Sequence, residues 1–303
     1  MPQTALSGWA VRAWSGLVRV APLRTYTRLI RVASGIPLPR QLRAPIFGAI
    51  AQGMGIDLSE TAGELAQYRC FGELFARSLR PGVRPIAQAG GAVVSPVDGS
   101  VSGMGQARQA SLIQAKGIEY PMAELVASDD LARALDGGTY LTLYLRPRDY
   151  HRIHTPLSGR VVRMSRLGRS LFPVKPYMVR TLDGLYVRNE RVVFELLTEV
   201  GRVALVCVAA AGVGNISTAF DDVVLRPSNG ENGTAVRTAR LDLQVDKGQE
   251  VARFNLGSTV IMVFPQGKVE LAALRPGETV RMGQEVATML ASGSAAGRGV
   301  FGH

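Results

Sequence analysis

The chain has 303 residues, 47% apolar and 19% charged, with a net charge of +11 and a pI near 10.2. That balance excludes a disordered chain, gives room for a large core in one or two domains, and points to an anionic partner, either a membrane surface or nucleic acid. Only Cys70 and Cys207 are cysteines, both in apolar surroundings, so a disulfide framework is excluded, and no CxxC or His-x3-His spacing marks a metal site.

Residues 1–50 carry Arg12, Arg19, Arg24, Arg28, Arg31, Arg40 and Arg43 and no acid; the first is Asp57. Trp9 and Trp14 are here, and Val11, Trp14, Leu17 and Val18 fall on one helical face. Pro22, Pro37, Pro39 and Pro45 divide the segment. No apolar run is long enough to cross a bilayer. The pattern fits an amphipathic helix lying in an anionic membrane interface. A helical cap packed on the domain and an organelle transit peptide are the other readings.

Residues 51–85 read as helical. Leu65, Tyr68, Phe71, Leu74 and Phe75 recur at three- and four-residue steps, and Pro81 and Pro85 end the run. Arg77, Arg80 and Arg84 fit either a solvated face or a phosphate contact.

From residue 92 the pattern becomes that of strands. Val93 to Val101 reads as a hairpin turned at Asp98-Gly99. Thr155 to Val161 repeats its Pro-x-x-Gly-x-Val phrase, and Leu274 to Gln284 reads as a third hairpin. The three phrases are similar to biotinyl/lipoyl-type barrel-sandwich domains. No lysine stands at a turn tip, so a swinging-arm carrier is not implied. Tyr140 to Leu145 alternates as a strand, and Val192 to Leu197 with Val203 to Val208 forms a hairpin. Gly212 to Ile216 is glycine-rich, but no helix follows it, so it is not a nucleotide loop. Residues 226–237 are rich in turn formers and predicted exposed, and residues 292–303 form a flexible tail.

The chemistry concentrates in three places. Histidine is scarce: His151, His154 and the terminal His303 are all there are. His151 and His154 follow Asp149 and Tyr150 in a loop, where both can face one cavity. Phe254 to Phe264 reads as a buried strand interrupted by Gly257-Ser258-Thr259, with Gly257 marking a bend or a close approach. Asp98, His154 and Ser258 form an acid–base–nucleophile set. No Gly-x-Ser-x-Gly elbow surrounds Ser258, so a hydrolase acting on an outside acyl group is disfavoured. The serine instead lies beside the carbonyl of its own Gly257.

These phrases together resemble the phosphatidylserine decarboxylases, pyruvoyl-dependent enzymes of phospholipid synthesis. The resemblance rests on Ser95-Pro96-Val97-Asp98-Gly99, on Asp149 to Gly159, on Phe172-Pro173-Val174, on Asn189-Glu190-Arg191, and on Lys247 to Glu250 leading into Phe254 to Thr259. Ala209-Ala210-Ala211 departs from the family's usual Val-Gly-Ala. The resemblance implies an α+β fold: N-terminal membrane-associating helices, then a mainly antiparallel barrel-sandwich catalytic domain. It divides the chain into a membrane segment 1–50, a catalytic domain 51–291 and the tail 292–303.

It also implies self-cleavage between Gly257 and Ser258. His154, oriented by Asp98, activates Ser258, which becomes a covalent pyruvoyl cofactor at the head of an α chain, while the β chain ends at Gly257. Phosphatidylserine is then decarboxylated to phosphatidylethanolamine through a Schiff base, with His151 or alternatively His154 returning the proton. The implied partners are an anionic membrane, on the cytoplasmic face if the source is bacterial, and a second copy of the α/β unit; no metal and no nucleic acid are implied. A related serine-headed lipid as substrate, or a non-catalytic membrane-binding β module, are the alternatives.

Overall fold

The structure is a computed structural model that describes residues 23–108, 111–115, 118–168, 170–210, 216–220, 226–229, 235–254 and 258–291. Both tryptophans, Gly257, most of the glycine-rich stretch 212–216 and the tail 292–303 lie outside the described residues.

Among the described residues two helices come first, α1 (Leu23–Gly35) and α2 (Arg40–Met54). Pro37 and Pro39 separate them. Helix α2 ends on Gly55, whose left-handed φ of 73° closes the last turn onto Ala51 and Gln52 carbonyls. The helix expected across 51–85 is replaced by short pieces: 3-10 turns at Leu58–Glu60 and Leu65–Gln67 and one helix, α3 (Phe71–Phe75). Glycines at 55 and 63, both at positive φ, interrupt the run, and the Asp57 carboxylate caps Ser59 N–H instead of continuing a helix.

Seventeen strands follow among the described residues. They are β1 (Ala92–Val94), β2 (Gly99–Gln106), β3 (Ser111–Ala115), β4 (Ile118–Pro121), β5 (Thr139–Leu145), β6 (Arg152–His154), β7 (Gly159–Leu167), β8 (Arg191–Thr198) and β9 (Gly201–Ala209). Then come β10 (Ile216–Thr218), β11 (Arg226–Asn229), β12 (Ala235–Val245), β13 (Glu250–Phe254), β14 (Ser258–Phe264), β15 (Val269–Leu271), β16 (Thr279–Val280) and β17 (Glu285–Met289). Nine of them form one sheet in the order β11-β12-β7-β8-β9-β14-β5-β2-β16, and every pairing in it is antiparallel. The fold is α+β, as expected. The sheet is open among the described residues, with β11 and β16 as its edges, so the expected barrel-sandwich is not what forms. Residues 226–237, expected as an exposed turn-rich stretch, contribute β11 and the start of β12.

The three phrases expected as hairpins are also rearranged. Strand β1 pairs with β17 and not with β2, while β6 pairs with β13 and not with β7. In the third phrase only β16 forms, and it pairs with β2. The first two phrases each carry the chain out of a three-stranded sheet and into the large one. They exchange hydrogen bonds across a local two-fold: Val94 N–H donates to Pro156 O (3.0 Å) and His154 N–H to Pro96 O (2.9 Å).

Each crossover is clasped by a matching loop. Ser95 N–H donates to Gln284 O and Gly283 N–H to Ser95 O, while Thr155 N–H donates to Gln249 O and Gly248 N–H to Thr155 O. Asp98 Oδ1 accepts from Met282 N–H (2.8 Å), and Ser158 Oγ accepts from Lys247 N–H (2.9 Å). These side-chain caps draw the turn residues toward another loop, which is why no tight hairpin closes. The clasping loops share the phrase Gly-Gln-Glu-Val at 248–251 and 283–286, a second internal echo.

The core lies on both faces of the large sheet. Strand β14 is its centre, hydrogen-bonded to β5 on one edge and β9 on the other, with all seven residues buried. Such a strand reads as a continuous apolar run rather than an alternation.

Gly248 (φ 81°) and Gly283 (φ 83°) both press on the Pro85-Ile86 segment, and a Cβ on Gly283 would lie 2.5 Å from Pro85 O. Gly283→Ala is expected to cost roughly 1–3 kcal/mol from backbone strain alone, read as a lowered urea midpoint with an unchanged slope.

Candidate active site

Ser258 opens β14, paired with Leu145 of β5 and Ala209 of β9. It is fully buried, and among the described residues its Oγ has no hydrogen-bond partner. Buried hydroxyls are nearly always paired, and leaving one unpaired costs about 1–3 kcal/mol.

The two histidines come from the segment that follows β5. His151 is fully buried, packed at a 47° tilt against the Phe75 ring with centroids 4.1 Å apart. Its Nδ1–H donates to Asp149 O (2.8 Å), and its Nε2 is buried with no partner. Phe254 N–H donates to His151 O, so the residue that ends β13 is tied directly to it. Arg77 reaches the same segment, donating from Nη2 to Arg148 O, and Arg152 Nε donates to Ala76 O. Burial pushes the His151 pKa down to about 3, and the Arg77 charge works in the same direction.

His154 is 8% exposed. Its Nδ1 meets Gly248 O at 2.7 Å and its Nε2 meets the Tyr150 hydroxyl at 3.1 Å. A carbonyl can only accept, so Nδ1 carries the proton and Nε2 is the basic nitrogen, taking a hydrogen bond from Tyr150. Burial lowers this pKa as well. The Gly248 contact and the charges of Glu250 and Asp98 oppose that, while Arg152 adds to it.

Asp98 and His154 are not hydrogen-bonded to each other. The Asp98 carboxylate receives Arg84 through Nε (2.9 and 3.1 Å) and Nη2 (2.6 Å), besides Met282 N–H. Arg84 is in turn paired with Glu60 at 2.6 Å. The role of fixing the His154 tautomer therefore falls to the Gly248 carbonyl, and Asp98 acts on the ring only through its charge. Gly257, the residue before Ser258, lies outside the described residues.

Several residues that frame the site carry weak signals in sequence. Tyr150 is adjacent in the chain to His151 but carries no pattern of its own. Gly248 belongs to the repeated Gly-Gln-Glu-Val phrase, a signal that could have found it. Asn189 is fully buried; its Oδ1 accepts from Phe172 N–H, and its Nδ2 donates to Phe172 O and Ala209 O. It thereby fixes the residue that pairs with Ser258. Arg191 spends its guanidinium on the Leu125, Val187, Asn189 and Glu124 carbonyls.

Neither imidazole is hydrogen-bonded to the Ser258 Oγ: both His154 ring nitrogens are engaged elsewhere, and the Ser258 Oγ and the His151 Nε2 each lack a partner among the described residues. A buried, unpartnered Oγ with two desolvated imidazoles on neighbouring segments fits the formation of a carbonyl group from the serine itself.

The model of the family described as phosphatidylserine decarboxylase matches residues 71–288. The chain belongs to the phosphatidylserine decarboxylase family. It is 43% identical over 276 residues to the phosphatidylserine decarboxylase proenzyme of Anaeromyxobacter sp. (strain K), covering 90% of this chain and 97% of that protein. It is 42% identical over 253 residues to the proenzyme of Acidovorax ebreus (strain TPSY), covering 82% and 87%. It is 35% identical over 271 residues to that of Myxococcus xanthus (strain DK1622), covering 89% and 96%. The matches take in Asp98, His151, His154 and Ser258 within one family-wide segment.

The buried His151 has a pH consequence. Its folded pKa is below the unfolded value near 6.5, so the unfolded state binds more protons between about pH 6.5 and 3 and stability falls as pH drops through that window. Unfolding free energy from urea titration is expected to fall by about 2 kcal/mol between pH 7.5 and 5 from this group. His151→Leu, which cannot take up a proton, is expected to flatten that part of the dependence.

Proposed function

We propose that this chain is a self-processing decarboxylase that converts phosphatidylserine to phosphatidylethanolamine and CO2, using a pyruvoyl group made from Ser258. The observation that carries the reading is the unpartnered Ser258 hydroxyl at the head of a fully buried strand, in a chain whose relatives are named proenzymes. A hydroxyl with no hydrogen bond to lose is a ready nucleophile once a base takes its proton.

In this mechanism His154 is the base. Its Nε2, once released from the Tyr150 hydroxyl, receives the Ser258 proton, the Gly248 carbonyl holds the opposite N–H, and the Asp98 charge favours the imidazolium that forms. The Ser258 oxygen attacks the Gly257 carbonyl, and the amide becomes an ester. Loss of the α-proton then breaks the Cβ–O bond, leaving a carboxylate on Gly257 and a dehydroalanine at 258. Water converts the latter to a pyruvoyl end with release of ammonia. When present, this group supplies a ketone that condenses with the substrate amine and accepts the electron pair released with CO2.

His151 is assigned to return a proton to the substrate α-carbon. Its bare Nε2 must first gain that proton, which the anionic substrate favours by raising its depressed pKa. The β chain to Gly257 and the α chain from 258 stay together, because β14 is hydrogen-bonded on both edges to strands of the β chain.

Membrane contact belongs to the N-terminal helices. No described helix is long and apolar enough to cross a membrane. Leu29, Val32, Ile36 and Leu42 are 64%, 59%, 55% and 48% exposed, and with the exposed Arg28 and Arg40 in the same segment they suit an anionic interface.

On a denaturing gel the wild type is expected to run as two fragments meeting at 257/258 and Ser258→Ala as one uncut band. A Ser258→Ala protein that still splits there defeats the assignment. The paired change Leu29→Asp and Val32→Asp is expected to weaken binding to vesicles containing phosphatidylglycerol by at least ten-fold, read by co-sedimentation, with the fragment pattern unchanged.

A further inference from the structure

Arg77, Arg80 and Arg84 fit either a solvated face or a phosphate contact by sequence, and the structure separates the three. Arg80 is exposed. Arg84 is paired with Glu60 and Asp98, both at 2.6 Å. Arg77 is 3% exposed; its Nη2 donates to Arg148 O (3.0 Å), while its Nε and Nη1 are buried with no partner among the described residues.

A guanidinium taken out of water needs acceptors for its N–H groups or a counter-ion. Arg191, as deeply buried, has the acceptors, because the carbonyls of Leu125, Val187, Asn189 and Glu124 take its donors. Arg77 has one carbonyl. Burial pushes its pKa down, and Asp98 and Glu60 oppose that through charge alone, since both carboxylates are already spent on Arg84.

The open donors lie beside the site. Arg77 Nη2 and His151 Nδ1 donate to successive carbonyls, those of Arg148 and Asp149. His151 Nε2 is likewise buried without a partner among the described residues. Helix α3 links this point to the N-terminal helices. Gly72 in α3 comes so close to α1 that a Cβ there would lie 3.4 Å from Ser34 O, and Phe75 at the end of α3 packs against His151. Leu38 N–H, between α1 and α2, donates to Arg69 O (2.8 Å). Arg77 follows two residues after Phe75. A lipid lying against α1 brings to this side of the site first its phosphodiester, the part of the headgroup nearest the acyl chains.

We propose that Arg77 binds the phosphodiester of the substrate headgroup and so sets the substrate α-carbon beside His151. This rests on the decarboxylase reading above. In a phosphoserine headgroup the phosphorus is three bonds from the α-carbon, so one molecule can meet both residues. The phosphodiester keeps its charge throughout the reaction, whereas the carboxylate leaves as CO2. An arginine on the phosphate therefore anchors the substrate without stabilising the group that must depart. It also gives the buried cation the counter-ion that the chain itself withholds.

The test uses the full-length protein and dihexanoyl phosphatidylserine at monomeric concentrations, so that no membrane surface is present. Arg77→Gln and Arg77→Lys are each expected to raise KM ten-fold or more, because one loses the charge and the other the separate Nε and Nη1 donors. Both are expected to show the wild-type fragment pattern. A KM within two-fold of wild type in both overturns the proposal. So do two variants that stay uncut, which would make Arg77 part of folding or processing, and an effect seen on vesicles but not on the monomeric lipid.

A second measurement is independent of turnover. Wild type and the variants are reduced with borohydride in the absence of substrate, and binding of glycerophosphoserine and of glycerophosphoethanolamine is read by calorimetry. Arg77→Gln is expected to weaken both at least ten-fold, because both carry the phosphodiester. A loss confined to glycerophosphoserine assigns Arg77 to the carboxylate and overturns the proposal, as does equal affinity or no binding to wild type. A wild type that binds both compounds in an Arg77-dependent way but releases no CO2 overturns the decarboxylase reading and leaves the phosphodiester site standing.

Discussion

A serine hydroxyl buried without a partner, on a strand sealed along both edges, is the constraint around which the rest of this molecule is built. Folding removes Ser258 from water, and no described residue returns a hydrogen bond to its oxygen. That loss is tolerable in a chain of this size because β14 buries six further residues between β5 and β9. The same dryness acts on the imidazoles. Both histidine pKa values fall, so both rings are neutral near pH 7 and present a basic nitrogen.

Around this centre the chain uses one device twice. Two crossovers, at residues 94–99 and 154–159, leave a small sheet, enter the large one and are clasped by related Gly-Gln-Glu-Val loops. The clasp of the second crossover also supplies the Gly248 carbonyl that fixes His154. In the first, Asp98 caps Met282 N–H and is held by Arg84. Catalytic geometry and fold connectivity thus depend on the same backbone contacts.

Much of this was legible in sequence, and the failures have physical causes. The β8–β9 hairpin and β5 were plain because apolar β-branched runs bounded by glycine have few alternatives. The helix across 51–85 was misread because the spacing of Leu65, Tyr68, Phe71 and Leu74 is helical while glycines at positive φ break the backbone. The hairpin readings failed because Asp98-Gly99 and Ser158-Gly159 look like turn residues locally, yet their side chains cap backbone groups far away in sequence. The candidate site residues stand out in sequence through scarce histidine and the Gly-Ser-Thr interruption. Their contacts are less plain, because a backbone carbonyl leaves no side-chain signature, and Gly248 is marked only by the repeated Gly-Gln-Glu-Val phrase.

The central claim is that Ser258 ceases to be a serine once the chain has folded. Intact mass of the fragment beginning at position 258 tests it most directly. The account predicts a species lighter than the serine-initiated fragment by one ammonia, with an end that borohydride reduces. A fragment with the full mass of a free amino-terminal serine, or an uncut chain from protein that still releases CO2 from phosphatidylserine, would contradict it.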